Sequence, residues 1–234
     1  MRFSRWRAAG NEYLLADRAE LGEELTAETV RRDVGAADGI LEVVHVDGPE
    51  AEVVIWNADG SVAEMSGNGT RIVARWLAER GESSELRIRV GPREVVARVL
   101  PGGEIEQELG EVHVYEPERI AGLRVTPVSV GNPHAVVLGD PDDVQLIGPL
   151  LETHPRFPER TNVQVARVDE PGRVTARVWE RGVGETASSG TSAVAVAAAT
   201  QGEGATVVVF RGGELLVRIE DGRATLTGPV ERVE

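Results

Sequence analysis

Along most of the chain, apolar and polar residues alternate in short runs. Residues 40–46, 52–56, 85–90 and 94–100 are Val- and Ile-rich stretches of this kind, and each predicts a strand. Gly102-Gly103 predicts a turn, and 112–115 leads into Glu116-Pro117-Glu118, the expected lobe boundary. The second half repeats the style at 123–130, 135–138, 162–168, 173–179, 206–210, 214–219 and 224–227. Helices are few. Residues 27–32 follow Thr26 as a cap, and 69–80 carry Ile72, Val73, Trp76 and Leu77 at helical spacing before stopping at Gly81. Residues 141–151 form a third candidate. A fourth, 191–199, is almost wholly apolar, which predicts burial on all sides. The pattern favours an α+β fold of two similar lobes, each wrapping strands around a central helix.

One local sequence occurs twice, 123 residues apart (66 to 189). Ser66-Gly67-Asn68-Gly69 and Ser189-Gly190-Thr191-Ser192 each open an Ala/Val-rich helical stretch, and each follows an acidic residue, Glu64 or Glu185. The first N–H groups of a helix lack intrahelical partners and, with the helix dipole, form an anion site. Glycine lets a ligand approach that backbone closely. Two such ends facing one cleft would hold a carboxylate with Ser66 and Ser189 on opposite sides, the geometry for taking a proton from one face of a carbon and returning one to the other. A lone serine of this kind is usually an ordinary N-cap; the duplication argues for more.

Composition narrows the chemistry. The chain has 234 residues and is 41% hydrophobic, enough for a packed core. Its net charge of −14 argues against a nucleic-acid partner. All 25 basic residues are arginine. Without lysine there is neither a pyridoxal-phosphate Schiff base nor a P-loop. Without cysteine there is no disulfide, thiolate metal site or cysteine nucleophile. The first residues lack a signal-peptide core and no apolar run approaches a membrane span, so a cytoplasmic protein with no membrane partner is expected. His45 and His154 read as structural, and His113 has no ligand partner in view. Asp140, Asp142 and Asp143 suit a helix start better than a metal site.

A set of ordered motifs sharpens this. Gly10-Asn11-Glu12-Tyr13 and Gly35-Ala36-Ala37-Asp38-Gly39 come first. They are followed by Asn57-Ala58-Asp59-Gly60-Ser61, Glu64-Met65-Ser66-Gly67-Asn68-Gly69, Gly131-Asn132-Pro133-His134, Thr161-Asn162-Val163 and Glu180-Arg181-Gly182-Val183-Gly184-Glu185-Thr186. From about residue 10 to the C-terminus the chain resembles the diaminopimelate epimerases, cofactor-independent amino-acid isomerases. The resemblance implies two pseudo-symmetric lobes, 1–115 and 116–227, each a curved, barrel-like mixed sheet around its helix, with 228–234 returning to the first lobe and the active site in the cleft. It implies interconversion of LL- and meso-diaminopimelate by two-base proton transfer, without metal or cofactor, in lysine and cell-wall synthesis. It also implies a homodimer and a small amino-acid substrate.

Residue by residue, Ser66 and Ser189 stand where the family has its two catalytic cysteines. His134 and Glu180 match groups that assist proton transfer. Asn11, Asn57, Asn132, Asn162 and Arg181 match residues that hold the substrate's polar ends. Gly67, Asn68, Gly190 and Thr191 match the turns that take the α-carboxylate. The departure is at the centre, because a hydroxyl is far less acidic than a thiol with a reference pKa of about 8.5. A serine needs a strong base beside it, and the standard reaction is expected to slow by several orders of magnitude. Three explanations stay open: a double Cys→Ser form made to trap substrate, a natural serine enzyme with weak epimerase or other isomerase or dehydratase activity, and a binder of amino acids that has lost catalysis. Ser192, where the family usually has glycine, suggests drift.

Overall fold

A computed structural model describes residues 3–22, 24–81 and 83–233. The chain divides into two compact units, one of residues 1–108 with 228–234 and the other of residues 109–227. Along the chain run β1 (Ser4–Ala8), β2 (Asn11–Asp17), α1 (Ala27–Asp33), β3 (Gly39–Asp47), β4 (Glu50–Asn57), β5 (Val62–Ala63), α2 (Gly67–Ala78), β6 (Glu85–Val90), β7 (Arg93–Val99) and β8 (Ile105–Glu111). There follow β9 (His113–Val114), β10 (Glu118–Ile120), β11 (Leu123–Ser129), β12 (Pro133–Leu138), α3 (Val144–Glu152), β13 (Asn162–Glu170), β14 (Arg173–Glu180) and β15 (Gly184–Thr186). The last elements are α4 (Gly190–Thr200), β16 (Gly204–Phe210), β17 (Gly213–Glu220), β18 (Arg223–Gly228) and β19 (Glu231–Arg232).

The two units repeat one topology. In the first, β1, β2, β3, β4, β6 and β7 are neighbours in that order, with the β2–β3 and β4–β6 pairs parallel and the others antiparallel. In the second, β11, β12, β13, β14, β16 and β17 follow the same order with the same parallel pairs. The registers match as well: Trp56 faces Ile40 as Trp179 faces Val163. The C-terminal β19 pairs with β1.

The first sheet is buried on both faces. Tyr13, Leu15, Leu41, Val53, Ile55, Leu86, Ile88, Ala97 and Ile105 all pack with Ile72, Val73, Trp76 and Leu77 of α2, so the sheet curves around that helix. On the other face Leu14, Ala16 and Ile40 pack with Val30 and Val34 near α1. Successive β2 residues therefore feed different cores. Each fully buried Leu, Ile or Val contributes about 1.5–3 kcal/mol. Thr26 caps α1 through a capping box with Thr29. In the second unit α3 packs Leu151 against Val125, Ala135, Val137 and Val163. Of the α4 residues, Gly190 and Ser192–Ala198 are buried, as its uniform apolarity predicts.

The strands β1, β2 and β8 have no counterpart among the sequence expectations. Tyr13 to Ala16 are all buried, so β2 shows no alternation. In β8 only Ile105 and Gln107 are buried, and the polar residues around them hide the pattern. The candidate helix at 141–151 is a single 3-10 turn, Pro141–Asp143, capped by Asp140, running into α3.

Candidate active site

Each unit presents its repeated turn at the start of its central helix. In the first, Ser66 is the N-cap of α2, and its Oγ accepts from Gly69 N at 3.0 Å. A Cβ on Gly69 would fall 2.9 Å from Leu41 Cδ2 and 3.2 Å from Ser66 Oγ, so a side chain there would push Leu41 and the capping serine aside. The phenol oxygen of Tyr13 lies 3.1 Å from Ser66 Oγ. The tyrosine ring has room because Gly39, its neighbour in β3, has no side chain; a Cβ there would sit 3.0 Å from Tyr13 Cε1.

Asn68 is buried one residue into the helix. Its Nδ2 donates to Asn11 Oδ1 at 2.5 Å, and Asn11 Nδ2 donates to Asp38 Oδ2 at 3.2 Å. Asp38 Oδ2 also accepts from Glu12 N at 2.8 Å, which ties the start of β2 to the loop before β3. Asn57 stands apart. It is exposed, and its Nδ2 donates to Ser61 Oγ at 2.9 Å across the turn that follows β4.

In the second unit Ser189 is the N-cap of α4, with Gly190 and Thr191 in the first turn. Its hydroxyl sits close enough to Glu180, at the end of β14, to donate to the carboxyl, and Glu180 Oε1 accepts from Thr186 Oγ1 at 2.5 Å. Burial raises the Glu180 carboxyl above the usual range against the pull of these two hydrogen bonds. The turn after Glu180 is fixed by Glu152, whose Oε1 accepts from Gly182 N at 2.8 Å. Asn162 Oδ1 accepts from Arg181 N at 3.0 Å, and Asn162 Nδ2 donates to Pro133 O at 3.1 Å, so its amide holds that turn against β12. The Arg181 side chain reaches outward, its Nη1 donating to Glu159 O at 3.2 Å.

His134 is 1% exposed. Its Nε2 donates to Asn132 Oδ1 at 2.9 Å and its Nδ1 accepts from Gln164 Nε2 at 3.1 Å. Burial, aided by the charge of Arg181, lowers its pKa to about 3, so the ring is neutral near pH 7. Gln164 Nε2 also donates to Ser192 Oγ at 2.9 Å, which gives that serine a partner in the core.

The repeat relates these groups. Offset by 123 residues, Asn57 corresponds to Glu180, and the cross-strand registers put Tyr13 opposite Gly39 as they put His134 opposite Asn162. The same framework thus carries a phenol near one serine and a carboxylate near the other.

The family model for diaminopimelate epimerase matches residues 10–114 and 126–233. The chain belongs to the diaminopimelate epimerase family. A diaminopimelate epimerase from Pelotomaculum thermopropionicum is 35% identical, with all of this chain and 97% of that protein aligned. Another, from Synechococcus elongatus, is also 35% identical over all of this chain and 96% of its own length. Among solved structures, a phenazine biosynthesis protein of the PhzF family from Bacillus anthracis superposes with a TM-score of 0.75 at 15% identity, covering 100% of this chain and 98% of that one. That likeness is one of fold. Family membership makes this diaminopimelate epimerase-like chain an isomerase.

Sequence reasoning assigned no role to Tyr13, Asp38, Arg71, Gln164 or Thr186. Tyr13, Asp38 and Thr186 lie inside the ordered motifs, so their neighbours in sequence were a usable signal. The partners of Tyr13 and Gln164 are 53 and 30 residues away and needed the fold.

Proposed function

We propose that the chain interconverts LL- and meso-diaminopimelate, with Ser66 and Ser189 as the two groups that exchange the α-proton. The observation that carries this reading is that each serine hydroxyl at a helix start has a second proton-transferring group beside it, Tyr13 at 3.1 Å from Ser66 and the Glu180 carboxyl next to Ser189. An epimerisation removes a proton from one face of a carbon and returns one to the other, so it needs two such groups. A hydroxyl delivers its proton readily but takes one only when a neighbour accepts its own. A carboxylate can accept a proton while the Tyr13 phenol starts with its own, so Ser189 with Glu180 is the abstracting pair and Ser66 with Tyr13 the donating pair in one direction; that turnover leaves Glu180 protonated and Tyr13 as phenolate, and the roles reverse in the other. His134, neutral and held by Asn132, supplies a fixed dipole. Asn11, Asn57, Asn132, Asn162 and Arg181 hold the polar ends of the substrate, and Gly67, Asn68, Gly190 and Thr191 receive its α-carboxylate. With hydroxyls in place of thiols the rate is low. The same reading places the protein in the cytoplasm as a homodimer, supplying lysine and a cell-wall precursor.

The test is deuterium uptake at the α-carbon of LL-diaminopimelate in heavy water, with the protein beside Ser66→Cys/Ser189→Cys. Uptake by both, faster in the cysteine form, supports the reading. Uptake by the cysteine form alone makes the serine protein a disabled site that binds substrate. No uptake by either refutes diaminopimelate as substrate and favours another small carboxylate.

A further inference from the structure

Arg71 lies one turn beyond Ser66 in α2 and has no solvent exposure. Its Nη2 donates to Asn68 Oδ1 and its Nη1 to Gly67 O at 3.4 Å. Its Nε has no hydrogen-bond partner. Among the described residues no carboxylate pairs with it, and burial alone lowers its pKa, to about 10, leaving it charged at neutral pH. The other buried charge among the described residues of the first unit is matched: Glu42, also fully buried, accepts from Arg18 Nε at 2.8 Å and Trp56 Nε1 at 3.0 Å.

A buried cation without a counter-charge costs folding energy, and an apolar side chain of similar length would fill the same space without that cost. Packing therefore does not explain the guanidinium. Its position does. It stands behind the first turn of a 12-residue helix, where its charge adds to the positive end of the dipole. Asn68 is clamped between Arg71 and Asn11, and Asn11 in turn reaches Asp38, which orients the turn.

We propose that Arg71 is a positioning residue whose buried charge is matched only when a carboxylate of the ligand docks at the first turn of α2. It acts through Asn68 and through the field at the helix start, and touches no reacting atom. This rests on the diaminopimelate reading for the identity of the carboxylate, while the missing counter-charge belongs to the protein alone.

The experiment compares the full chain with Arg71→Met and Arg71→Lys in two measurements that need no turnover: the urea midpoint without ligand, and calorimetric affinity for meso-diaminopimelate. Arg71→Met is expected to unfold at the same or a higher urea concentration than the parent and to bind at least tenfold more weakly. Arg71→Lys, which keeps the charge but not the fork, is expected to recover part of the affinity. An Arg71→Met protein that fails to fold or unfolds at markedly lower urea overturns the proposal, because the guanidinium is then structural. So does a stable Arg71→Met protein whose affinity stays within twofold of the parent. If the parent itself binds no diaminopimelate, the functional reading falls, and the urea midpoints still decide Arg71: a stable Arg71→Met supports a charge kept for an anion, and a destabilised one refutes it.

Discussion

His134 gives the sharpest quantitative expectation. Its ring is 1% exposed and held neutral, with a pKa lowered from 6.5 to about 3 by burial first and by Arg181 second. In the unfolded chain it titrates near 6.5. The folded value lies below the unfolded one, so the unfolded state takes up the proton first as pH falls. The stabilisation from this residue is complete above pH 6.5 and is lost progressively toward pH 3. At ~1.4 kcal/mol per pH unit the full difference is about 5 kcal/mol, and about 2 kcal/mol of it is gone by pH 5. Urea unfolding followed by circular dichroism at pH 7 and pH 5, on the parent and on His134→Gln, isolates this contribution, because carboxylates that titrate in the same window cancel between the two proteins. The parent is expected to lose about 2 kcal/mol more than the variant. Whatever the offset that repacking adds, only the difference in slope counts. A ring proton resonance, assigned by its absence in the variant, is expected to stay unshifted from pH 8 to pH 5. Equal slopes, or a resonance titrating near pH 6.5, would show that the ring is solvated and the burial argument wrong.

Two further changes probe packing and chemistry. Gly148→Ala would gain about 1 kcal/mol from helix propensity alone, but its Cβ would lie 2.5 Å from Trp179 Cγ; a net loss of about 1–3 kcal/mol in urea unfolding is expected, and a gain would mean that the contact relaxes freely. Tyr13→Phe removes the hydroxyl 3.1 Å from Ser66 Oγ; it is expected to cost about 1 kcal/mol of stability and to slow α-deuterium exchange by about tenfold or more, and unchanged exchange would remove the phenol from the mechanism.

Much of this molecule is written locally. Strands that bury one face, such as β6 with Leu86, Ile88 and Val90 inside, advertise themselves by alternation, and the apolar run of α4 announces a helix with no wet side. The duplicated turn is equally local, because a capping serine and the glycines after it need only their own neighbours to make a helix start. From these the α+β class, the internal repeat and the two serine positions follow without coordinates. Other features are properties of the assembled units. A strand packed on both faces has no period, so β2 became visible only once α1 and α2 were in place on either side of it. The neutrality of His134 comes from desolvation by surrounding strands, and the raised carboxyl of Glu180 from its burial beside Ser189. The pairing of Tyr13 with Ser66 across 53 residues depends on a parallel register and on a missing side chain at Gly39. Arg71 has the sequence of an ordinary helical arginine; that its charge is enclosed and unmatched is decided by the sheet that curls around α2, since desolvation is a sum over all the atoms the fold brings near and no short stretch of chain contains it.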